Sequence, residues 1–143
     1  MAKQKLQLHI LTPMGVIFES EVDQVTATTT SGEITILVDH IPLVTTLATG
    51  TVMVKDGSET PQYFTINGGV LEKRHDNHVV ILSSRSESAH EIDVQRAQEA
   101  YDAAEKLMEN PEAIVGEEYH NLQKVMAKEL NRVKVGTQKG MRK

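Results

Sequence analysis

Ile92-Asp93-Val94-Gln95-Arg96-Ala97 is the most specific short motif in this 143-residue chain. Asp93 and Arg96 stand three apart, a spacing at which a helix N-cap carboxylate meets the backbone it caps. The pair therefore marks a helix start as well as a place where charge gathers. Other residue types that do chemistry are sparse. His75 and His78 flank Asp76-Asn77, but on a strand positions three apart point to opposite faces, and no third metal ligand is in view. His40, beside Pro42, reads as a loop residue that shapes the chain. No serine sits in a nucleophile elbow, and Asn67-Gly68-Gly69 is too short for a phosphate loop. Those glycines instead supply positive φ or a close backbone approach. The chain has no cysteine, which excludes a disulfide, a thiolate metal site and a thiol nucleophile. These residues predict no catalytic site and no metal site.

The net charge of −5 argues against nucleic-acid binding. That charge is divided unevenly. Residues 86–118 carry ten acids against Arg96 and Lys106, whereas residues 119–143 carry seven bases against Glu129 alone. Such a split suits two segments that pair, or one that seeks an outside partner of opposite sign. No apolar run approaches the ~18 residues that span a bilayer, and Met1–Lys5 leads into alternating residues rather than an apolar block. The expectation is a soluble protein of a reducing compartment. Aromatic residues are 3% of the chain, so Val, Ile and Leu must build its core.

The elements fall into two halves. Up to about residue 85, short apolar stretches alternate with turn signals: Leu6, Leu8 and Ile10; Val16–Phe18; Val22–Thr30; Ile34–Val38; Thr51–Val54; Gln62–Ile66; Val70–Lys73; His78–Leu82. Pro13-Met14-Gly15, Ser31-Gly32, Asp39–Leu43, Lys55–Ser58 and His75–Asn77 separate them. This spacing predicts a sandwich of antiparallel sheets with about ten strands. Beyond residue 87 the residues favour helix. Ser88-Ala89-His90-Glu91 fits a capping box, and Asp93 is an equally good cap. Ala97, Ala100, Ala104, Leu107 and Met108 recur at helical spacing, with alanines that allow a second helix close approach. Asn110-Pro111 stops the run. A second helix from about Glu117 carries Tyr119, Leu122, Val125 or Met126, Leu130 and Val133. Gly136 and Gly140, in the basic tail, mark fraying. The fold class is α+β: a sandwich domain over residues 1–86, then a two-helix αα-hairpin with a basic tail over residues 87–143. The apolar stripes of the hairpin are modest, so it is expected to dock weakly.

Four stretches, in order, resemble the epsilon subunit of the bacterial rotary ATP synthase, which corresponds to the mitochondrial delta subunit. Ser31-Gly32-Glu33-Ile34-x-Ile36 resembles S/E-G-E-L-G-I. Asp39-His40-Ile41-Pro42-Leu43-Val44 resembles G-H-x-P-L-L/V. Gly68-Gly69-Val70-Leu71-Glu72 resembles G-G-x-L-E, and Ile92–Ala97 resembles I/L-D-x-x-R-A. The resemblance implies a non-catalytic rotor part of the central stalk. It would bind the gamma subunit and the membrane ring of c subunits, and couple proton flow to catalysis elsewhere. Glu33 resembles the region facing the c-ring; His40, Pro42 and Leu43 resemble part of the surface near gamma. The resemblance also implies a hairpin with two forms. One folds down; the other extends toward the alpha/beta catalytic head and blocks ATP hydrolysis. The implied location is peripheral, on the cytoplasmic face of the bacterial membrane.

Some members of that family bind ATP through I/L-D-x-x-R-A and basic residues of the second helix. Ile92, Asp93, Arg96 and Ala97 match, and Glu87 matches an acidic position of ATP-binding members. Asn131-Arg132-Val133-x-Val135 resembles N-R-L-x-V, which aligns Arg132 with one phosphate-side arginine. The other, four residues earlier, is Lys128 here, which keeps the charge but loses the planar fork. Arg96, Lys128 and Arg132 suit a triphosphate, and Glu87 or Asp93 suits the base or ribose. No cofactor is required on this reading, and ATP is a regulatory ligand. Two other readings stand beside it: a free-standing ATP-sensing β-sandwich protein, and a small hydrolase, which lacks a nucleophile–base pair.

Overall fold

Alternation of apolar and polar residues forms the strands of the first half. In β1 (Leu6–Thr12), Leu6, Leu8 and Ile10 are fully buried. β2 (Gly15–Val22) returns antiparallel to it, and a bulge at Ile10/Leu11 shifts the register. That extra residue turns Ile17 and Phe18 toward the core and leaves Val16 exposed. β3 (Gln24–Thr29) and β4 (Gly32–Leu37) form the next hairpin. β5 (Leu43–Lys55) and β6 (Gln62–Lys73) are long and pair with each other along most of their length. β7 (His78–Leu82) and the short β8 (Ser86–Ser88) both pair with β6. The computed structural model describes residues 3–109 and 116–138.

Hydrogen bonds join the strands in the order β2-β1-β7-β6-β5-β3-β4, with β8 beside β6. The long strands divide this sheet into two layers. The second half of β6 and the first half of β5 continue β2-β1-β7. The second half of β5 and the first half of β6 lie between β3 and β8. Because β5 and β6 serve both layers, the eight strands among the described residues supply ten strand segments. One pair, β1 with β7, is parallel. The core between the layers is aliphatic apart from Phe18 and Phe64, which meet edge to face at 5.1 Å. Fully burying each Leu, Ile or Val contributes about 1.5–3 kcal/mol.

Two stretches differ from the sequence expectation. Residues 43–50 continue β5, although Pro42 and the following threonines obscure a strand. Asn67-Gly68-Gly69 does not end a strand but carries β6 from one layer into the other. Both glycines have positive φ, 73° and 134°. A Cβ on Gly69 would run into the carbonyl oxygen of Leu82, so the backbone of β7 passes where a side chain would be. Ser83 fastens the crossing: its hydroxyl oxygen lies 2.7 Å from the Gly68 carbonyl oxygen and 2.9 Å from that of Arg85, with one proton to donate between them, and accepts from the Arg85 amide.

The chain divides into two compact units, Met1–Ser88 and Ala89–Lys143. In the second unit a 3-10 turn, Ala89–Glu91, precedes α1 (Val94–Met108). Asp93 is the cap: its side chain accepts from the Arg96 amide at 3.1 Å, worth about 1 kcal/mol. Ser88, the other expected cap, ends β8 opposite Phe64 and directly precedes the 3-10 turn rather than α1. Asn110-Pro111, the expected stop, lies outside the described residues. α2 (Glu117–Gln138) packs antiparallel on α1, its Gly136 lying against Ile92 and Val94 near the start of α1. Ala97 and Ala104 are buried, as close helix approach requires. The expected stripe of α2 is only partly covered. Leu122, Met126 and Val133 are half-buried, while Tyr119, Val125 and Leu130 are exposed, as is Leu107 of α1.

Gly69→Ala should lower the urea stability of the sandwich by about 3 kcal/mol, from left-handed strain plus the backbone clash. Gly68→Ala, whose Cβ would meet nothing closer than 3.8 Å, should cost only about 1 kcal/mol. Equal losses for the two variants would refute the crossing geometry.

Candidate functional site

The helical unit holds six of the seven residues predicted to meet a nucleotide, and the structure sorts them by role. Ile92 and Ala97 are buried, so the apolar members of the motif seat α1 rather than face solvent. Asp93 and Arg96 are exposed, with Asp93 also serving as the cap. On α2, Lys128, Arg132 and Gly136 follow one another at four-residue intervals along one face. Four residues advance a helix by about 6 Å, so Arg132 lies one turn from the point where α2 meets the start of α1. Glu87 belongs to β8 of the first unit, where its amide donates to Thr65 Oγ1 at 2.9 Å and its carboxylate pairs with Arg85 at 3.4 Å.

Sequence reasoning missed two features of this unit. Glu129, the lone acid of the basic segment, is 5% exposed. It receives Arg132 Nη1 at 2.8 Å and lies 3.7 Å from Lys128 Nζ. Two of the three cations assigned to the triphosphate, Lys128 and Arg132, thus already face a carboxylate. The second feature is Gly136. It does not mark fraying: it is buried inside α2, and an added Cβ would stand 2.5 Å from Val94 Cγ2 and 2.9 Å from Ile92 Cγ2. The spacing Ile92, Val94 and Gly136 gave no signal because the contact joins helix ends 42 residues apart in sequence. Gly140 lies outside the described residues.

On the sandwich, the four predicted interface residues fall at two opposite ends. Glu33 is exposed beside the β3–β4 turn, opposite Thr28. His40, Pro42 and Leu43 lie at the other end, where the chain leaves β4 for β5. There Asp39 and Asn77, both with positive φ, bond reciprocally: the Asp39 amide donates to Asn77 Oδ1 (2.7 Å), and Asn77 Nδ2 donates to Asp39 Oδ1 (3.1 Å). This clasp fixes the path into His40, whose Nδ1 lies 2.7 Å from the Ile41 carbonyl oxygen. His78 is 2.9 Å from Asp76 and stacks on His9 at 6.3 Å, while His75 is exposed. Among the described residues, no three His, Asp or Glu side chains gather in a way that holds a metal. Nor is any described helix long and apolar enough to cross a membrane.

The register builds a surface that no single motif announced. Val16 pairs with Leu11, Leu11 with Leu82, and Leu82 with Val70. Directly opposed residues share a face, so these four form an outward apolar row across β2, β1, β7 and β6, about 15 Å wide at ordinary strand spacing. Val16, Leu82 and Val70 are 58%, 52% and 40% exposed. Val44, on the outer face of β5, is 71% exposed and extends the patch. An apolar row of this kind is a mark of a docking surface.

Comparison with known proteins accounts for both units. A family described as "ATP synthase, Delta/Epsilon chain, beta-sandwich domain" matches residues 5–89. A second, "ATP synthase, Delta/Epsilon chain, long alpha-helix domain", matches residues 90–136. The ATP synthase epsilon chain of Caldanaerobacter subterraneus subsp. tengcongensis is 38% identical over 91% of this chain and 92% of its own. That of Bacillus mycoides is 37% identical over 92% of this chain and 96% of its own. Among solved structures, a chain of the Euglena gracilis mitochondrial ATP synthase (OSCP/F1/c-ring) aligns with a TM-score of 0.71 at 20% identity, covering 97% of this chain and 82% of that one. A chain from the central stalk and c-ring of Tetrahymena thermophila mitochondrial ATP synthase aligns with a TM-score of 0.54 at 19% identity, covering 65% and 73%. At such identities the structural likeness is one of fold.

In an ordinary helix interior alanine is favoured over glycine by about 1 kcal/mol. Gly136→Ala should do the reverse here and destabilise the helical unit by about 1–3 kcal/mol, since Ile92 and Val94 are stiff at χ1. Val94→Ala should relieve much of that loss. Hydrogen exchange of the α1 and α2 amides measures both; stronger protection in the single Gly136→Ala variant would reject the contact.

Proposed function

The chain belongs to the delta/epsilon family of ATP synthase subunits, and from that premise we propose that its outer apolar row docks the gamma subunit of the central stalk. It is a non-catalytic rotor subunit. The observation that carries the docking reading is the Val16–Leu11–Leu82–Val70 row. Exposed aliphatic side chains in one plane are released from water only by a partner of matching shape, at roughly 25 cal/mol per Å² removed from solvent. Glu33, at one end of the sandwich, faces the c-ring. His40, Pro42 and Leu43, at the other end, extend the gamma contact beyond the sheet. Two ends with different partners suit a part that transmits torque between them. The subunit is membrane-associated through the complex, on the cytoplasmic face, with no membrane-spanning segment of its own required.

The helical unit is the regulatory part. Its packing combines small residues, Ala97, Ala104 and Gly136, with few large buried ones, Ile92 and Val135, so separating the helices gives up less apolar burial than opening the sandwich would. The exposed Tyr119, Val125 and Leu130 then find cover elsewhere. In the extended form the basic α2 contacts acidic segments of the alpha/beta head and blocks hydrolysis. In the hairpin form Asp93, Arg96, Lys128 and Arg132 hold ATP, which stabilises that form by binding it preferentially.

Leu82→Asp, at an exposed position, should leave the fold intact and reduce co-purification with gamma by at least about tenfold; undiminished recovery would reject the docking row. The assembled enzyme lacking residues 90–143 should hydrolyse ATP faster than the intact one, and equal rates under all conditions would reject inhibition. Calorimetric titration of the isolated chain with ATP should release heat that Arg132→Ala reduces. No heat at millimolar nucleotide would remove ATP from the scheme.

A further inference from the structure

We propose that Glu129 occupies, from within the chain, the place of an anion between Lys128 and Arg132, and so limits how tightly the helical unit holds a triphosphate. The inference rests on the ATP-binding reading above and names the residue that sets its strength. Glu129 is 5% exposed, and its two carboxylate oxygens are divided between the two cations. Oε2 takes Arg132 Nη1 at 2.8 Å, and Oε1 lies 3.7 Å from Lys128 Nζ. The side chains of Lys128 and Arg132 are 27% and 17% exposed, so both pairs sit in partly closed surroundings where water screens them incompletely.

The geometry makes the competition direct. All three residues lie within five consecutive positions of α2. The carboxylate therefore meets its partners with almost no loop to close, and its effective concentration beside them is high. A triphosphate that approaches Arg132 must either displace a carboxylate already bonded to the guanidinium, or share the cations with it. Displacement leaves Glu129 charged and without its bonded partner in a confined place, which is costly. Sharing sets a carboxylate against phosphate oxygens of the same sign. Either way the site gives up affinity. The absence of a second arginine at Lys128 adds to this, because an ammonium offers no planar fork with which to hold both anions at once. The basic segment therefore provides fewer available cations than its sequence displays.

The test is a titration of the full chain with ATP, and separately with inorganic tripolyphosphate, comparing wild type with Glu129→Gln, Glu129→Asp and Glu129→Ala. The neutral, equally sized glutamine should tighten ATP binding about tenfold or more. Aspartate, which keeps the charge, should stay within about threefold of wild type. Tripolyphosphate should show the same gain, since the competition concerns phosphate oxygens alone. The gain should vanish when Arg132→Ala is added. Circular dichroism at 222 nm confirms that the helices persist, and Glu129→Ala supplies a second neutral side chain with high helix propensity. If wild type binds ATP and both neutral variants bind it equally or more weakly, the competition is refuted while ATP binding stands. If wild type and the folded neutral variants alike release no heat at millimolar ATP, both readings fall together. A silent wild type beside a binding glutamine variant would remove ATP as a ligand of the native chain and support the competition by assigning that silence to Glu129.

Discussion

The β5–β6 ladder carries the first unit. Leu43–Val54 pair with Gln62–Lys73 along nearly the whole of both strands, and every other strand attaches to one of these two directly or through a neighbour. Each long strand must leave one layer and enter the other while keeping its partner. The crossing is possible at Gly68-Gly69, where positive φ and the missing Cβ let the chain turn against the Leu82 carbonyl. Without it, β7 and β8 would not both reach β6. The core between the layers, from Leu8 and Ile10 to Phe64, Leu71 and Ile81, would lose one of its walls.

The outer apolar row is a by-product of the same geometry. A strand whose inner residues face a closed core must present its alternate residues outward, and in most strands here these are polar. Leu11, Val16, Val70 and Leu82 are among the exceptions, with Leu37 and Val44, and the register aligns these four. The bulge at Ile10/Leu11 is necessary to this row, since it brings Val16 opposite Leu11 while turning Ile17 and Phe18 inward. A rotor subunit without chemistry of its own has its function in such surfaces. The reciprocal Asp39–Asn77 bonds and the buried Ser83 hydroxyl hold the turns that frame them.

The helical unit follows a different rule. Its helices meet through alanine and glycine, so backbone proximity stands in for bulky apolar packing. Glu129 adds an electrostatic element to α2, where its carboxylate joins Lys128 and Arg132. Among the described residues, Ile92 and Val135 are the large apolar residues buried beside these small ones. The two units thus differ physically: the sandwich keeps its form through a closed aliphatic core, the helical unit through close helix approach and charge pairs.

Much of this was legible from residue order. Period-two alternation in Leu6–Ile10 and His78–Leu82, turn residues at Pro13–Gly15 and Lys55–Ser58, and alanines at helical spacing specify local backbone form, because each depends on neighbours a few positions away. Ile92-Asp93-x-x-Arg96-Ala97 likewise announced both a cap and a family. The continuous β5 and β6 were obscured, since Pro42 stands directly before β5, and Gly68-Gly69, breakers by local rule, become strand residues only with partners beside them. The apolar row, the buried Gly136 and the charge-paired Glu129 were hidden for a related reason. Sequence determined which residues stand outward or inward on each element and which segments carry charge. Only the tertiary structure decided which of those residues stand opposite one another, because register and helix packing join positions tens of residues apart. Adjacency in space, rather than residue type, then determines whether a leucine is part of a surface and whether an arginine already has its anion.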